Sequence, residues 1–300
     1  MKKNTLGQSE LKVSEIGLGC MSLPLDTQLA AAIIDEAVAN GINYFDTADF
    51  YNKGENEELI GVLLKKHRQD VIIATKVGNQ WSADSDEVKW NATKSYITEQ
   101  VHNSLKRLQT DYIDLYQLHG GMVTDNTEET IEAFESLKKE GLIRAYGISS
   151  IRPNVIRRFL KNSDIASIMM QYSLLDRRPE EYLEEIGTAG RSVVTRGSLA
   201  KGLLTNEGSK RAYNSGGYLT YDEEELTTTL QQLQKVHPNL HALSLHSVLQ
   251  NPAVASVVAG ASSASQIKDT LTAYETAVSP EQIKQARQLA KLDQYKEHRE

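Results

Sequence analysis

Residues 42–76 read INYFDTADFYNKGENEELIGVLLKKHRQDVIIATK. The stretch opens on one apolar run, Ile42–Thr47, and closes on another, Val71–Lys76. Between them, Asn56–Arg68 carries Leu59, Ile60, Leu63 and Leu64 at helical spacing. Neither run strictly alternates apolar with polar residues, so each reads as a strand buried on both faces. A buried strand, an amphipathic helix and a second buried strand form one βαβ unit with parallel strands.

The unit recurs along the whole chain. Further runs at Ile16–Cys20, Tyr112–His119, Ala145–Ser149, Ser167–Gln171, Ser192–Arg196 and Ala255–Gly260 bring the strands to eight. Helix-period segments are Gln28–Asn40, Ile97–Leu108, Thr127–Glu140, Pro153–Lys161, Glu180–Ala189 and Ser263–Tyr274. Gly41 suits the position after a helix and Pro153 the first helical position. Ser263 with Gln266, Ser279 with Gln282 and Asp222 with Glu225 have capping-box spacing. Eight such units predict an α/β fold, a (β/α)8 TIM barrel. A doubly wound sheet is the alternative, but Gly17-Leu18-Gly19 is only a fragment of its GxGxxG signature. Lys2–Val13 reads as an N-terminal β-hairpin that turns near Gly7-Gln8 and plugs the barrel bottom. Glu223–Asn251 and the tail Pro280–Glu300 fall outside the eight units and read as additional helices. With no linker or solenoid-length repeat, residues 1–300 are expected to form a single domain.

Composition narrows the partners. The 300 residues carry a net charge of −7 with scattered basic residues, which argues against a nucleic-acid partner. The single cysteine, Cys20, excludes an intramolecular disulfide and a CxxC metal site. His237, His241 and His246 read as an incidental helical face, because Pro238 interrupts their spacing and no ligand set is completed. No metal is expected. No apolar stretch approaches the roughly 20 residues a membrane span needs. Met1-Lys2-Lys3-Asn4 leads into polar residues rather than a secretory apolar run. The expectation is a cytoplasmic monomer or weak homo-oligomer acting on a small molecule.

In such a barrel, chemistry gathers where the strands end. From the second strand to the seventh, each run stops on polar side chains: Asp46, Lys76, His119, Ser149-Ser150, Gln171 and Arg196. Carbonyl reduction suits this set. Hydride arriving at carbon leaves negative charge on oxygen, so a proton donor is needed. Tyr51, in the loop after the second strand, is the candidate acid. A Lys76 ammonium beside it favours release of that proton, and Asp46 would orient the lysine by ion pairing. His119 would fix the carbonyl oxygen by a hydrogen bond.

Several stretches resemble the aldo-keto reductase family. They are LGQSELKVSEIGLG at 6–19, GINYFDTA at 41–48 followed by Tyr51 and GENE at 54–57, IATK at 73–76 and DYIDLYQLH at 111–119. The resemblance implies a catalytic tetrad of Asp46, Tyr51, Lys76 and His119, a small carbonyl substrate, and NADP(H) as cofactor with NAD(H) as the alternative. It implies that Ser149, Ser150 and Gln171 hold the nicotinamide carboxamide, with Cys20, Met21 and Asp46 nearby. It also implies that Arg196, Gly197, Ser198, Leu199, Ala200 and Gly202 form the pyrophosphate loop. The adenosine end falls to Gly260, Ala261, Ser262, Gln266 and Thr270.

The chain departs from that pattern in places. Ser150 stands where asparagine is usual, and Arg196 where many relatives have an aromatic residue on the nicotinamide. Arg196 either stacks in its place or pairs with a carboxylate. Ser262, Gln266 and Thr270 replace residues that commonly grip the adenosine end, leaving Lys201, Lys210 or Lys268 as substitute cations for a 2′-phosphate. Trp81, Trp90 and the segment 213–221, with Tyr213, Tyr218 and Tyr221, are candidates to shape the pocket. Two other functions compete: a nucleotide-sensing regulatory subunit on the same fold, and a Schiff-base aldolase using Lys76.

Overall fold

The computed structural model describes residues 1–82, 85–213 and 215–299. The expected strands form, in order, β1 (Ile16–Gly19), β2 (Tyr44–Asp46), β3 (Ile72–Val77), β4 (Ile113–Leu118), β5 (Ile143–Ser149), β6 (Ser167–Gln171), β7 (Ser192–Arg196) and β8 (Val254–Gly260). Each pairs in parallel with the next, and β8 closes onto β1 with Val257 opposite Ile16 and Gly260 opposite Gly19. The (β/α)8 barrel is therefore complete.

Both faces of the strands are buried, which is why they read as continuous apolar runs. Inward residues Tyr44, Ile72, Ala74, Leu115, Met169 and Val194 fill the barrel. Outward residues such as Phe45, Ile73, Tyr116 and Ile168 meet the helix ring. The N-terminal hairpin, Lys3–Thr5 against Lys12–Ser14, inserts Leu6, Leu11 and Val13 into the inner cluster and so plugs the bottom. Its turn requires Gly7, which has φ +56° and where a Cβ would collide with the Ala166 carbonyl oxygen.

Three features differ from the sequence reading. The segment after β3, in which no strand was expected, forms an antiparallel hairpin, Asn79–Ser82 with Ser85–Trp90. Its residues are too polar to stand out as strands. Leu240–Leu249 is not an addition but the helix of the seventh unit, packed against β8 and the helix Ala264–Glu275. Eight of its ten residues are buried, so it shows no one-sided apolar stripe. Glu223–Val236 and Pro280–Leu289 are the added helices; they pack together over Leu226, Leu230, Leu233 and Ala286. The tail leaves its helix at Leu289 and runs on without helix. It is tied by Lys291 N–H to Tyr221 Oη (2.6 Å), Tyr295 N–H to Glu181 (3.2 Å) and Asn154 N–H to the His298 carbonyl (2.8 Å).

Among the described residues, no helix is long and apolar enough to cross a membrane. Since Leu6 is fully buried in the plug, Leu6→Ala should lower the unfolding free energy by about 2–5 kcal/mol in a denaturant titration. A loss under about 1 kcal/mol would mean that the plug does not seal the inner core.

Candidate active site

The mouth is built around one buried cation. Lys76, near the end of β3, is 1% exposed. Its Nζ donates to Asp46 Oδ2 (2.6 Å), the Thr47 carbonyl (2.6 Å) and Tyr51 Oη (3.4 Å). An ammonium has three donors, and all three are used. Gln117 Nε2 donates to the other Asp46 oxygen at 3.4 Å. Tyr51 reaches this position on a tight turn in which Asn52 and Lys53 have φ of +49° and +50° and Gly54 of +91°. Thr47 Oγ1 bonds Asn56 Oδ1 (2.6 Å), and Asn56 Nδ2 donates to the Cys20 carbonyl (2.8 Å), so the turn is anchored to β1. His119 follows β4, its N–H bonded to the Val77 carbonyl (2.7 Å). Its ring meets that of Tyr51 edge-on at 5.9 Å between centroids.

Electrostatics follow from this geometry. Burial pulls the Lys76 ammonium toward losing its proton, but the charge on Asp46 and the oxygen of Tyr51 outweigh it. Lys76 is held above the usual lysine value. Burial, then the charges of Lys76 and Arg196, press His119 down to about 3. Its imidazole is neutral at pH 7.

A cavity of about 2190 Å³ extends from this floor along the mouth. It is lined by Asp46, Tyr51, Lys76 and His119 together with Met21, Ser149, Ser150, Gln171, Arg196, Gly197, Ser198, Leu199, Gly202, Gly260, Ser262, Gln266 and Thr270. Cys20, Ala200 and Ala261 are buried and do not line it. Burial pushes the Cys20 thiol well up, so it is inert. Trp90 lines the wall, packed over Gly78 and Gly120, with Nε1 donating to Asp125 at 2.9 Å. Trp81 does not line the cavity; it lies near Gly54, alongside Arg107. In the segment 213–221, residue 214 lies outside the described residues. Tyr213 is exposed, Tyr218 lines the cavity, and Tyr221 is buried under the tail.

On the far side, Gln171 is held from three directions. Its Nε2 donates to Asp176 (2.8 Å) and faces Tyr218 Oη (3.5 Å), while its Oε1 accepts from Arg196 (3.1 Å). Arg178 grips Asp176 through two 2.7 Å bonds. The sequence reading missed this support: Asp176 and Arg178 follow β6 in a stretch with no periodic pattern. Arg196 does not pair with a carboxylate among the described residues. The following loop is left-handed at Gly197, Ala200, Lys201 and Gly202. Such turns point backbone N–H groups outward and suit an anion. Ser244 Oγ pins the loop through the Ser198 carbonyl at 2.6 Å.

Where the adenosine end is expected, Ser263 caps its helix, but Gln266 reaches back to Ser262 N–H (2.8 Å) and not to Ser263, so the expected capping box is incomplete. Lys268 pairs with Glu36 and Lys210 with Glu207. Lys201 and Arg211 line the cavity instead, and the Arg211 guanidinium packs where Gly202 has no side chain. Among the described residues, no group of His, Cys, Asp and Glu is placed to hold a metal.

A family model described as the aldo/keto reductase family matches residues 15–291. The uncharacterized oxidoreductase YqkF of Bacillus subtilis is 51% identical over the full length of both chains. The NADH-specific methylglyoxal reductase of Escherichia coli is 30% identical, covering 97% of this chain and 98% of its own. The holo form of aldo-keto reductase AKR11C1 from Bacillus halodurans matches with a TM-score of 0.96 and 52% identity, over all of both chains. With this coverage by the family model and these relatives, the chain belongs to the aldo/keto reductase family of oxidoreductases.

Proposed function

We propose that this protein reduces aldehydes or ketones to alcohols with NAD(P)H, and that Tyr51 supplies the proton. The observation that carries the reading is the Lys76 ammonium, fixed 2.6 Å from Asp46 and 3.4 Å from Tyr51 Oη. Negative charge left on the Tyr51 oxygen would be stabilised by that ammonium, and Asp46 keeps the ammonium charged and in place. Neutral His119 orients the carbonyl oxygen without adding charge. General-acid help of this kind contributes about 10²–10⁴-fold. The remainder comes from positioning.

When bound, the nicotinamide supplies the hydride. Ser149, Ser150 and Gln171 are the groups that fit its carboxamide; Ser150 Oγ also accepts from Arg152 N–H at 3.2 Å. The left-handed loop 197–202 fits the pyrophosphate, and Gly260–Thr270 the adenosine. We take NADP(H) as the cofactor, with its 2′-phosphate met by Lys201 and Arg211, and NAD(H) as the alternative. The name of the Escherichia coli relative favours that alternative and suggests small dicarbonyls among the substrates. The same reading treats residues 1–300 as one functional unit, a monomer or weak homo-oligomer acting in the cytoplasm.

A Schiff base at Lys76 is disfavoured, because the amine is charged, buried and fully bonded. Borohydride reduction in the presence of a carbonyl substrate should leave Lys76 unlabelled.

In an assay with an aromatic aldehyde, wild type should oxidise NADPH or NADH, and Tyr51→Phe should lose about 10²–10⁴-fold. Retained activity in the variant would remove Tyr51 as the acid. Oxidation of neither cofactor by wild type would favour a nucleotide sensor. The double variant Lys201→Ala, Arg211→Ala should raise KM for NADPH more than for NADH; equal changes would place the 2′-phosphate elsewhere.

His119 gives a pH test. Its folded value of about 3 lies below the ordinary 6.5, so the unfolded chain takes up this proton first on acidification. Its contribution to stability is full above pH 6.5 and is lost as pH falls toward 3. The His119 ring signal in NMR should stay flat from pH 8 to about 5. His119→Gln should weaken the fall in Tm between pH 6.5 and about 3, and a ring midpoint near 6.5 would contradict the downward shift imposed by burial.

A further inference from the structure

We propose that Arg196 makes the cofactor site discriminate against the oxidised nicotinamide and so biases the protein toward reduction. This rests on the proposed function above. The argument is a charge count at the floor of the mouth. Asp46 and Lys76 form one neutral pair, and Asp176 and Arg178 another. His119 is neutral. Arg196 lines the same cavity and bonds only the uncharged amide of Gln171, with no carboxylate partner among the described residues. Its charge acts on both His119 and Asp46. Arg152 also lines the cavity, but it is tied to the Gly121 carbonyl, and its charge is not among those acting at His119. Of the two cations whose charge acts at His119, Lys76 is paired with Asp46 and Arg196 has no carboxylate, so the floor beside His119 carries one uncompensated positive charge.

A hydride donor serving Tyr51 must sit within about 3–3.5 Å of a carbonyl carbon whose oxygen reaches Tyr51 and His119. That position lies inside the field of Arg196. Reduced nicotinamide is uncharged there; after giving up hydride to carbon, while Tyr51 gives its proton to oxygen, the ring is a cation. Arg196 repels the second form and not the first. In a solvent-open site with the charges about 6 Å apart, Coulomb repulsion separates the two affinities by roughly 3- to 10-fold. An aromatic residue at this position would supply no such term.

The test is a binding measurement. Kd for NADPH, NADP⁺ and 2′,5′-ADP would be measured by calorimetry for wild type, Arg196→Gln and Arg196→Lys at low salt. The ratio of oxidised to reduced Kd should fall roughly 3- to 10-fold in Arg196→Gln and persist largely in Arg196→Lys. It should shrink in wild type at high salt. Affinity for 2′,5′-ADP, which lacks nicotinamide, should not change. An unchanged ratio, or equal weakening of both forms, overturns the inference. So does an unchanged ratio accompanied by a raised KM for 4-carboxybenzaldehyde but not for 4-methylbenzaldehyde, which would assign the charge to an anionic substrate. Failure of wild type to bind any of the three, or NADH, would instead sink the proposed function, and this inference with it.

Discussion

The mouth is organised by the burial of one lysine. An ammonium removed from water is tolerated only if its charge is met and its donors are bonded. Lys76 meets that demand with a carboxylate from β2, the carbonyl of Thr47 and the phenol of Tyr51. The demand then propagates. Asp46 lies beside Ala74 in the register of β2 on β3, which brings its side chain to Lys76. Thr47 must leave β2 with its carbonyl turned inward, and its hydroxyl is held by Asn56 at the start of the next helix. Removing the Asp46 carboxylate would leave a buried charge without its counterpart, a loss of several kcal/mol.

Across the mouth from this pair, a second set of polar groups is held just as firmly. Gln171 is the counterpart of Lys76 on the opposite side: an uncharged group whose orientation is fixed by Asp176, Arg196 and Tyr218. Asp176 is itself neutralised by Arg178, so the acceptor offered to Gln171 adds no net negative charge, and the charge left beside the amide is that of Arg196. Polar groups anchored in this way keep their geometry when water leaves the site, which is what preorganisation requires.

The sequence exposed the floor more completely than the rim. Asp46, Lys76, His119, Gln171 and Arg196 are legible because a strand buried on both faces must end abruptly in polarity where it reaches the mouth. The eight runs and the plug hairpin are legible for the same reason, since burial dictates their composition. Leu240–Leu249 was misread because a helix buried nearly all round has no polar stripe to reveal it. The hairpin after β3 was missed because an exposed, polar ribbon lacks the apolar signature of the barrel strands. Trp81 and Trp90 are nine residues apart, yet only Trp90 lines the cavity, and their spacing carries no sign of which one turns inward.

Cation pairing shows why the loops proposed to hold the cofactor are hardest to read. Lys201 and Lys210 after β7 and Lys268 after β8 are all cations in segments that follow the last two strands, and the sequence does not rank them. In the folded protein, Lys210 and Lys268 are engaged by Glu207 and Glu36, and Lys201 is left lining the cavity beside Arg211. The same sorting separates Arg178, neutralised by Asp176, from Arg196, which holds only an amide. A positive charge influences a ligand in proportion to how little of it is already cancelled. The electrostatic character of this mouth therefore comes less from how many basic residues surround it than from which of them lack a carboxylate, and beside His119 that residue is Arg196.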